Sequence, residues 1–199
     1  MISDLAFILA SYLLGSVSAA VVVCRVLGKG DPRETGSGNP GATNVLRAHG
    51  KGPAAATLIG DIGKGVVPVL LARWAELGPL VIGGCACAAF LGHLFPVFFG
   101  FRGGKGVATF VGVLLAISLW LGLAFIATWL TVAAITRYSS LAALLATAAT
   151  PFIAGLALGL PAPIVVATTV MAAAIIYRHK ANIARLLAGT EGRIGKSGA

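Results

Sequence analysis

Gly36-Ser37-Gly38-Asn39-Pro40-Gly41-Ala42-Thr43-Asn44-Val45-Leu46-Arg47 is a segment suited to surrounding an anion. Its glycines permit tight or left-handed turns that expose successive N–H groups, and Ser37, Asn39, Thr43 and Asn44 add short polar side chains. Thr43 or Asn44 is placed to cap a helix whose next turn carries Arg47, within reach of the same ligand. The plain alternative is a capped surface turn. The segment's position between apolar blocks, with a cation adjoining it, favours the anion.

A second segment, Gly92-His93-Leu94-Phe95-Pro96 followed by Phe99-Gly100-Phe101-Arg102-Gly103-Gly104-Lys105-Gly106, puts two cations into a glycine-rich turn that enters an apolar helix. Such a turn lets both backbone and side chains approach a phosphate. It is not the nucleotide P-loop, because Gly106 and Val107 stand where a Ser or Thr would be needed to hold Mg²⁺. The tail sequence Gly195-Lys196-Ser197 fails that test too, having Thr190 in place of the first glycine and no length for a following helix. His93 reads either as a polar packing residue that caps its helix or as a group with acid-base capability.

A third segment, Arg178-His179-Lys180-Ala181-Asn182-Ile183-Ala184-Arg185, places Arg178, Asn182 and Arg185 on one side if helical. Lys180 and Arg193 fit a simple anchor on anionic lipid, whereas His179 and Asn182 bring no full charge and suit a site better. Glu191, the sole acid of the tail, is placed to orient one of its cations. Asp61 and Lys64 form a further anomaly, lying in an otherwise apolar block. Ionised side chains in hydrocarbon cost about 2.5 kcal/mol or more each on insertion scales, so both must face protein or water. At a spacing of three they can pair, either merely neutralising each other or letting Asp61 hold Lys64 near an anionic ligand.

These segments are separated by long apolar runs. Of 199 residues, 58% are hydrophobic and only 11% charged, well below the quarter or so expected of a soluble domain. Hydrocarbon demands helices whose backbones are internally satisfied, so the reading is one all-α integral membrane domain over 1–199. Leu5 to Cys24, Pro53 to Leu71 and Leu77 to Phe99 give three spans. The uncharged run Val107 to Thr136, thirty residues, is about 45 Å long as helix, against a hydrocarbon thickness of about 30 Å. Placing Arg102, Lys105 and Arg137 on one side makes it two short spans turning near Ser118 to Gly122; one steeply tilted helix is the competing account. Tyr138 to Tyr177 supplies two more, turning near Gly159 to Pro163. The expectation is therefore seven transmembrane helices, with the N-terminus outside and the C-terminus cytoplasmic. A six-span arrangement would misplace one basic cluster.

The net charge of +9 follows from this orientation and does not point to nucleic acid, since no stacking platform accompanies it. Cys24, Cys85 and Cys87 lie in apolar surroundings and read as small buried hydrophobes, with neither a disulfide framework nor a metal site.

Taken in order, Gly36 to Asn44 with Arg47, then Gly92-His93 with Phe95-Pro96 and Gly103-Gly104-Lys105-Gly106, then Arg178-His179 with Asn182 and Arg185, resemble the three signature regions of the PlsY family of bacterial acyl-phosphate:glycerol-3-phosphate acyltransferases. The resemblance covers essentially the whole chain, Asp61 and Lys64 included. It implies a seven-helix inner-membrane enzyme, its active site facing the cytoplasm. Such an enzyme transfers a fatty acyl group from acyl phosphate to the 1-hydroxyl of glycerol 3-phosphate, giving lysophosphatidate and inorganic phosphate. No metal or other cofactor is implied, and the partners are those two substrates and membrane lipid, with the protein acting as a monomer. The His-x-x-x-x-Asp pair of acyl-CoA-dependent acyltransferases is missing: Ala54, Phe98 and Ala184 stand five residues after His49, His93 and His179.

An acyl phosphate already carries a good leaving group, so positioning the hydroxyl and stabilising phosphate oxygens can supply most of the barrier reduction. On this reading Arg47, Lys105 and the backbone from Ser37 through Gly38, Asn39 and Gly41 to Thr43 hold one phosphate. Asn44, Gly103 and Gly104 belong to the same phosphate-binding set, with Lys64 or Arg102 in support. His179 and Asn182 position glycerol 3-phosphate, and Arg185 makes a second phosphate contact. The hydroxyl proton goes to His179 or to a phosphate oxygen. Ser37 has no base beside it, which argues against an acyl-serine. Ser139 or Ser140 adds a polar contact, and Asp61, His93 and Glu191 are supporting residues. A carrier for a phosphorylated small molecule is the rival from another class, since broken helices and intramembrane charges occur there too.

Overall fold

The computed structural model describes residues 2–195, and every regular element among them is a helix. Lys196 and Ser197, the end of the tail segment weighed as a nucleotide loop, lie outside the described residues. The first apolar run breaks into α1 (Ile2–Gly15) and α2 (Ala19–Val26), which meet at 46°. At the break the Ser16 hydroxyl donates to the Tyr12 carbonyl at 2.8 Å, a back-bond that bends helices. α3 (Ala42–His49) is short and amphipathic and leads into α4 (Lys51–Trp74). α5 (Pro79–Leu94) follows, with Pro79 in its first turn, where no amide partner is lost, and continues through a 3₁₀ turn at Val97–Phe99. Then come α6 (Val107–Ile117), α7 (Leu119–Thr136), and α8 (Ser139–Phe152) with its π-helical extension Ile153–Ala157. α9 (Ala162–Arg178) and α10 (Lys180–Leu187) close the fold, bent by 57° at His179.

Seven spans are not what this chain forms. Among the described residues four helices are long and apolar enough to cross a membrane, Lys51–Trp74, Pro79–Phe99, Leu119–Thr136 and Ser139–Ala157; counting each bent pair as one span raises the number to six. The error lies in the run Val107 to Thr136. It divides at Ser118, whose extended backbone starts α7 and whose hydroxyl accepts from the Leu121 amide at 3.4 Å. That leaves α6 with 11 residues, about 16 Å of helix and roughly half a hydrocarbon core. The placement of the two termini on opposite sides rested on that extra crossing and falls with it.

The short α6 is wedged against α4 where glycines let the backbones touch. A side chain at Gly65 would strike the Thr109 carbonyl, and one at Gly112 the Ile62 carbonyl. Beside it the core is aromatic, Phe110 meeting Phe90 and Phe125 edge to face at 6.3 and 5.8 Å. This packing fixes the helix that Gly106 opens, and so the loop that ends in Lys105.

Candidate active site

Lys105 and Asn182, distant in sequence, meet at one rim: the Lys105 ammonium donates to Asn182 Oδ1 at 2.5 Å. Asn182 passes the connection on, its Nδ2 donating to Glu191 Oε1 at 2.7 Å. The same oxygen accepts from Ser140 Oγ at 2.7 Å, and Glu191 Oε2 takes the Arg185 Nε at 2.7 Å. One carboxylate thus ties α8, α10 and the tail to the glycine-rich loop. Burial alone would raise the Glu191 carboxyl, but the hydrogen bonds from Ser140, Asn182 and Arg185 outweigh it and hold the group below its ordinary range. Lys105 is held below its ordinary range as well: burial lowers it, and Arg185, Arg178 and Arg47 add to that against the pull of Glu191. Arg47 reaches the same rim, its guanidinium 3.5 Å from where a side chain on Gly192 would begin.

The loop carrying Lys105 is built by close approach. Gly103 sits against the His93 and Leu94 carbonyls, and Gly104 lies on the His93 ring and donates its amide to the His93 carbonyl at 3.2 Å. Arg178 clamps the loop from outside, donating to the Gly103 and Gly104 carbonyls at 3.0 and 3.1 Å. Its charge therefore serves the fold of the loop, a role that helical spacing alone did not disclose. His179, buried at the bend between α9 and α10, has Nδ1 2.8 Å from the Ile175 carbonyl. A carbonyl only accepts, so Nδ1 carries the proton, leaving the lone pair of the neutral ring on Nε2.

In the first segment the structure redistributes the roles. Asn44 is buried and spent on the loop itself: Oδ1 accepts from the Ser37 amide at 3.0 Å, while Nδ2 donates to the Pro32 and Thr35 carbonyls at 2.7 and 3.0 Å. The helix cap is Gly41, with no side-chain cap from Thr43 or Asn44. Gly36 and Gly38 take positive φ, 58° and 67°, turning the loop back over Asn44, and Ser37 and Thr43 are left exposed on it. Asn39 folds its amide back over Gly41.

Two expected supports sit elsewhere. The Lys64 ammonium lies 2.9 Å from Asp61 Oδ1 and donates to the Val17 carbonyl at 2.8 Å, while His93 Nδ1 is 3.5 Å from the same carboxylate oxygen. This cluster meets the rim at His93, beneath Gly104. Arg102 lines a different cavity with Arg25 and Arg33. Ser139 opens α8 beside Ser140, but it is Ser140 whose hydroxyl meets Glu191. The tail after α10 is more ordered than its composition signals: the Ile194 amide donates to the Arg137 carbonyl at 2.7 Å, Arg137 returns a bond to the Ile194 carbonyl at 2.9 Å, and Arg193 lies over the Tyr138 ring. Among the described residues no group of three or more His, Cys, Asp or Glu could hold a metal ion.

Fold and site together define a multi-pass integral membrane protein with a cation-rich, hydrogen-bonded rim suited to anionic substrates. Comparison with known proteins gives that class its family. The model of the glycerol-3-phosphate acyltransferase family matches residues 5–189. A glycerol-3-phosphate acyltransferase of Thioalkalivibrio sulfidiphilus is 58% identical over 96% of this chain and 93% of its own, and one of Halorhodospira halophila is 55% identical over 98% of each. Solved structures of PlsY, an integral membrane glycerol 3-phosphate acyltransferase, superpose with a TM-score of 0.92 in the glycerol 3-phosphate form and 0.90 in the lysophosphatidic acid form. In both, 42% of residues are identical over 97% of this chain and 96% of that one. The chain belongs to the PlsY family of glycerol-3-phosphate acyltransferases and is an acyltransferase.

Proposed function

We propose that this enzyme joins the acyl group of an acyl phosphate to the 1-hydroxyl of glycerol 3-phosphate, forming lysophosphatidate and inorganic phosphate at the cytoplasmic face of the inner membrane. The observation that carries the reading is the chain Lys105–Asn182–Glu191, which binds the second and third polar segments and the tail into one rim. Lys105, Arg47 and the Ser37 to Thr43 backbone, including Gly38, Asn39 and Gly41, hold the acyl phosphate's phosphate group. Asn182, Arg185 and His179 hold glycerol 3-phosphate, with its hydroxyl against the acyl carbon.

The transfer is direct. A bond forms from the substrate oxygen to the acyl carbon as the bond to the phosphate oxygen breaks, and the electron pair leaves with the phosphate. Cations over the departing phosphate stabilise the charge that develops there, and fixing both substrates removes the entropic cost of their encounter. The hydroxyl proton has two acceptors, the His179 Nε2 lone pair and a phosphate oxygen. Gly103 and Gly104 let the loop close over His93, and Asn44, Asp61, His93, Ser140 and Glu191 keep the contacting groups in place. The whole chain works as one domain and as a monomer.

The test is phosphate release by purified protein given acyl phosphate and glycerol 3-phosphate, with acyl-CoA as the competing donor. The expected result is lysophosphatidate and phosphate in equal amounts from acyl phosphate and nothing from acyl-CoA. A trapped acyl-enzyme would overturn direct transfer, and near-normal turnover in His179→Gln would assign the proton to phosphate.

A further inference from the structure

Away from the Lys105 rim, a cavity of about 630 Å³ opens where the end of α2 meets the turns at 31–34 and 98–102. Arg25, Asp31, Arg33, Glu34, Phe98 and Arg102 are among the residues that line it, while Arg47, Lys105 and Asn182 are not. Its three arginines are not equivalent. Arg33 is occupied: it grips Asp31 with Nη2 2.7 Å from Oδ2, donates Nη1 to the Phe99 carbonyl at 2.9 Å, and has Phe99 under its guanidinium at 5.9 Å. That lock joins the first polar segment to the second. Arg25 and Arg102, by contrast, have no side-chain hydrogen bond or ion pair among the described residues. Two guanidinium groups therefore face one cavity whose two carboxylates are Asp31, already gripped by Arg33 and acting on Arg25 only at a distance, and Glu34 at its edge.

The surroundings of the cavity are apolar. Val26 is 78% exposed, Phe98 59% and Phe101 58%, and these side chains sit at the ends of apolar helices, where a bilayer gives way to water. A soluble anion has no use for such a collar, whereas an amphiphile has a phosphate for the arginines and hydrocarbon for the rings. We propose that Arg25 and Arg102 bind the phosphate head of a lipid phosphomonoester whose chain lies over Phe98 and Phe101. A phosphomonoester carries about −1.5 to −2 charge at neutral pH, which two free arginines match and a singly charged phosphodiester does not. Guanidinium groups also meet phosphate oxygens two at a time, which lysines cannot do. Arg102 stands three residues before Lys105 on the same loop, so this site is an antechamber to the catalytic rim. The proposal stands on charge and position alone and survives if the reaction assigned above fails.

The experiment is equilibrium binding of radiolabelled lysophosphatidate to the whole protein in phosphatidylcholine nanodiscs. The expected stoichiometry is two per chain. Lys105→Ala leaves one, and Arg25→Gln with Arg102→Gln leaves the other. Glu34→Gln tightens the second site about threefold by removing a nearby like charge of the ligand, a gain that misfolding does not produce. Competition separates the sources of the phosphate: inorganic phosphate, phosphatidylglycerol and lysophosphatidylcholine should each displace far less label from this site than unlabelled lysophosphatidate. Binding unchanged in the double arginine variant, loss of all binding in Lys105→Ala, or equal displacement by inorganic phosphate or phosphatidylglycerol would overturn the proposal. A single site lost with the arginines and kept in Lys105→Ala would uphold it while counting against the catalytic assignment.

Discussion

Two clusters of charge lie on either side of the same glycine loop and are built on opposite terms. Below it, Asp61, Lys64 and His93 are almost fully buried, with Lys64 paired to Asp61 at 2.9 Å and His93 3.5 Å from the same carboxylate oxygen. Above it, Lys105 and Glu191 are only partly covered, Arg47 and Arg185 are open to solvent, and the cations outnumber the one carboxylate. A buried charge must be matched, because leaving its partner alone in hydrocarbon is expensive. A binding rim must stay unmatched, because the missing counter-charge is the substrate. On the function proposed above, the lower cluster holds shape and the upper one holds ligand.

The sharpest way to break this contrast is to empty one side of the lower pair. Asp61→Ala should destabilise the protein by about 3–5 kcal/mol by stranding Lys64, read as thermal unfolding in detergent. Asp61→Leu with Lys64→Met should recover most of that stability, and failure to recover would mean the pair does more than hold the helices. Next in size, Lys105→Ala should lower kcat/KM by about 10²–10³-fold with little change in unfolding temperature. Lys105→Arg should not restore it, since a planar guanidinium cannot reproduce the single donor on Asn182. Glu191→Gln should cost about tenfold in kcat/KM, because it weakens the charge-assisted bonds to Asn182 and Arg185 without removing the acceptor.

The smallest effect is on pH. Burial and the neighbouring arginines depress Lys105, so it loses its proton at a lower pH than an ordinary lysine. The KM for acyl phosphate should then rise with pH, beginning below the usual lysine range. Glu191 supports the charged form of Lys105, so Glu191→Gln should move that rise to still lower pH. At the acid end the sign is opposite for Glu191, whose folded value is depressed. The stability its docking contributes is complete above the ordinary carboxylate range and is lost as pH falls through the lower folded value. Tail docking, followed by hydrogen exchange of the Ile194 amide, should persist through the ordinary range.

What could be read from sequence was local. Asp61 and Lys64 pair because residues three apart on a helix always face each other, and the rim segments were visible as polar islands in apolar chain. Three things were not legible. Asn44 points inward to carry its own loop, which depends on how Gly36 and Gly38 fold the chain back. Arg178 clamps carbonyls that lie 74 and 75 residues away. Ser118 divides its run unequally, a fact that hydropathy and charge counting do not record, and the seven-span reading failed there.

That unequal division also frees one helix from the membrane's dimensions. α6 stops at Ile117, and Arg73 reaches across from the end of α4 to donate to the Ala116 and Ile117 carbonyls, satisfying a helix end that has no further turn to do so. None of its eleven residues is exposed. Irregular backbone at such a break is tolerated where protein, rather than hydrocarbon, surrounds it. A helix enclosed by its neighbours has no bilayer thickness to match, so its length is set by the groove between them.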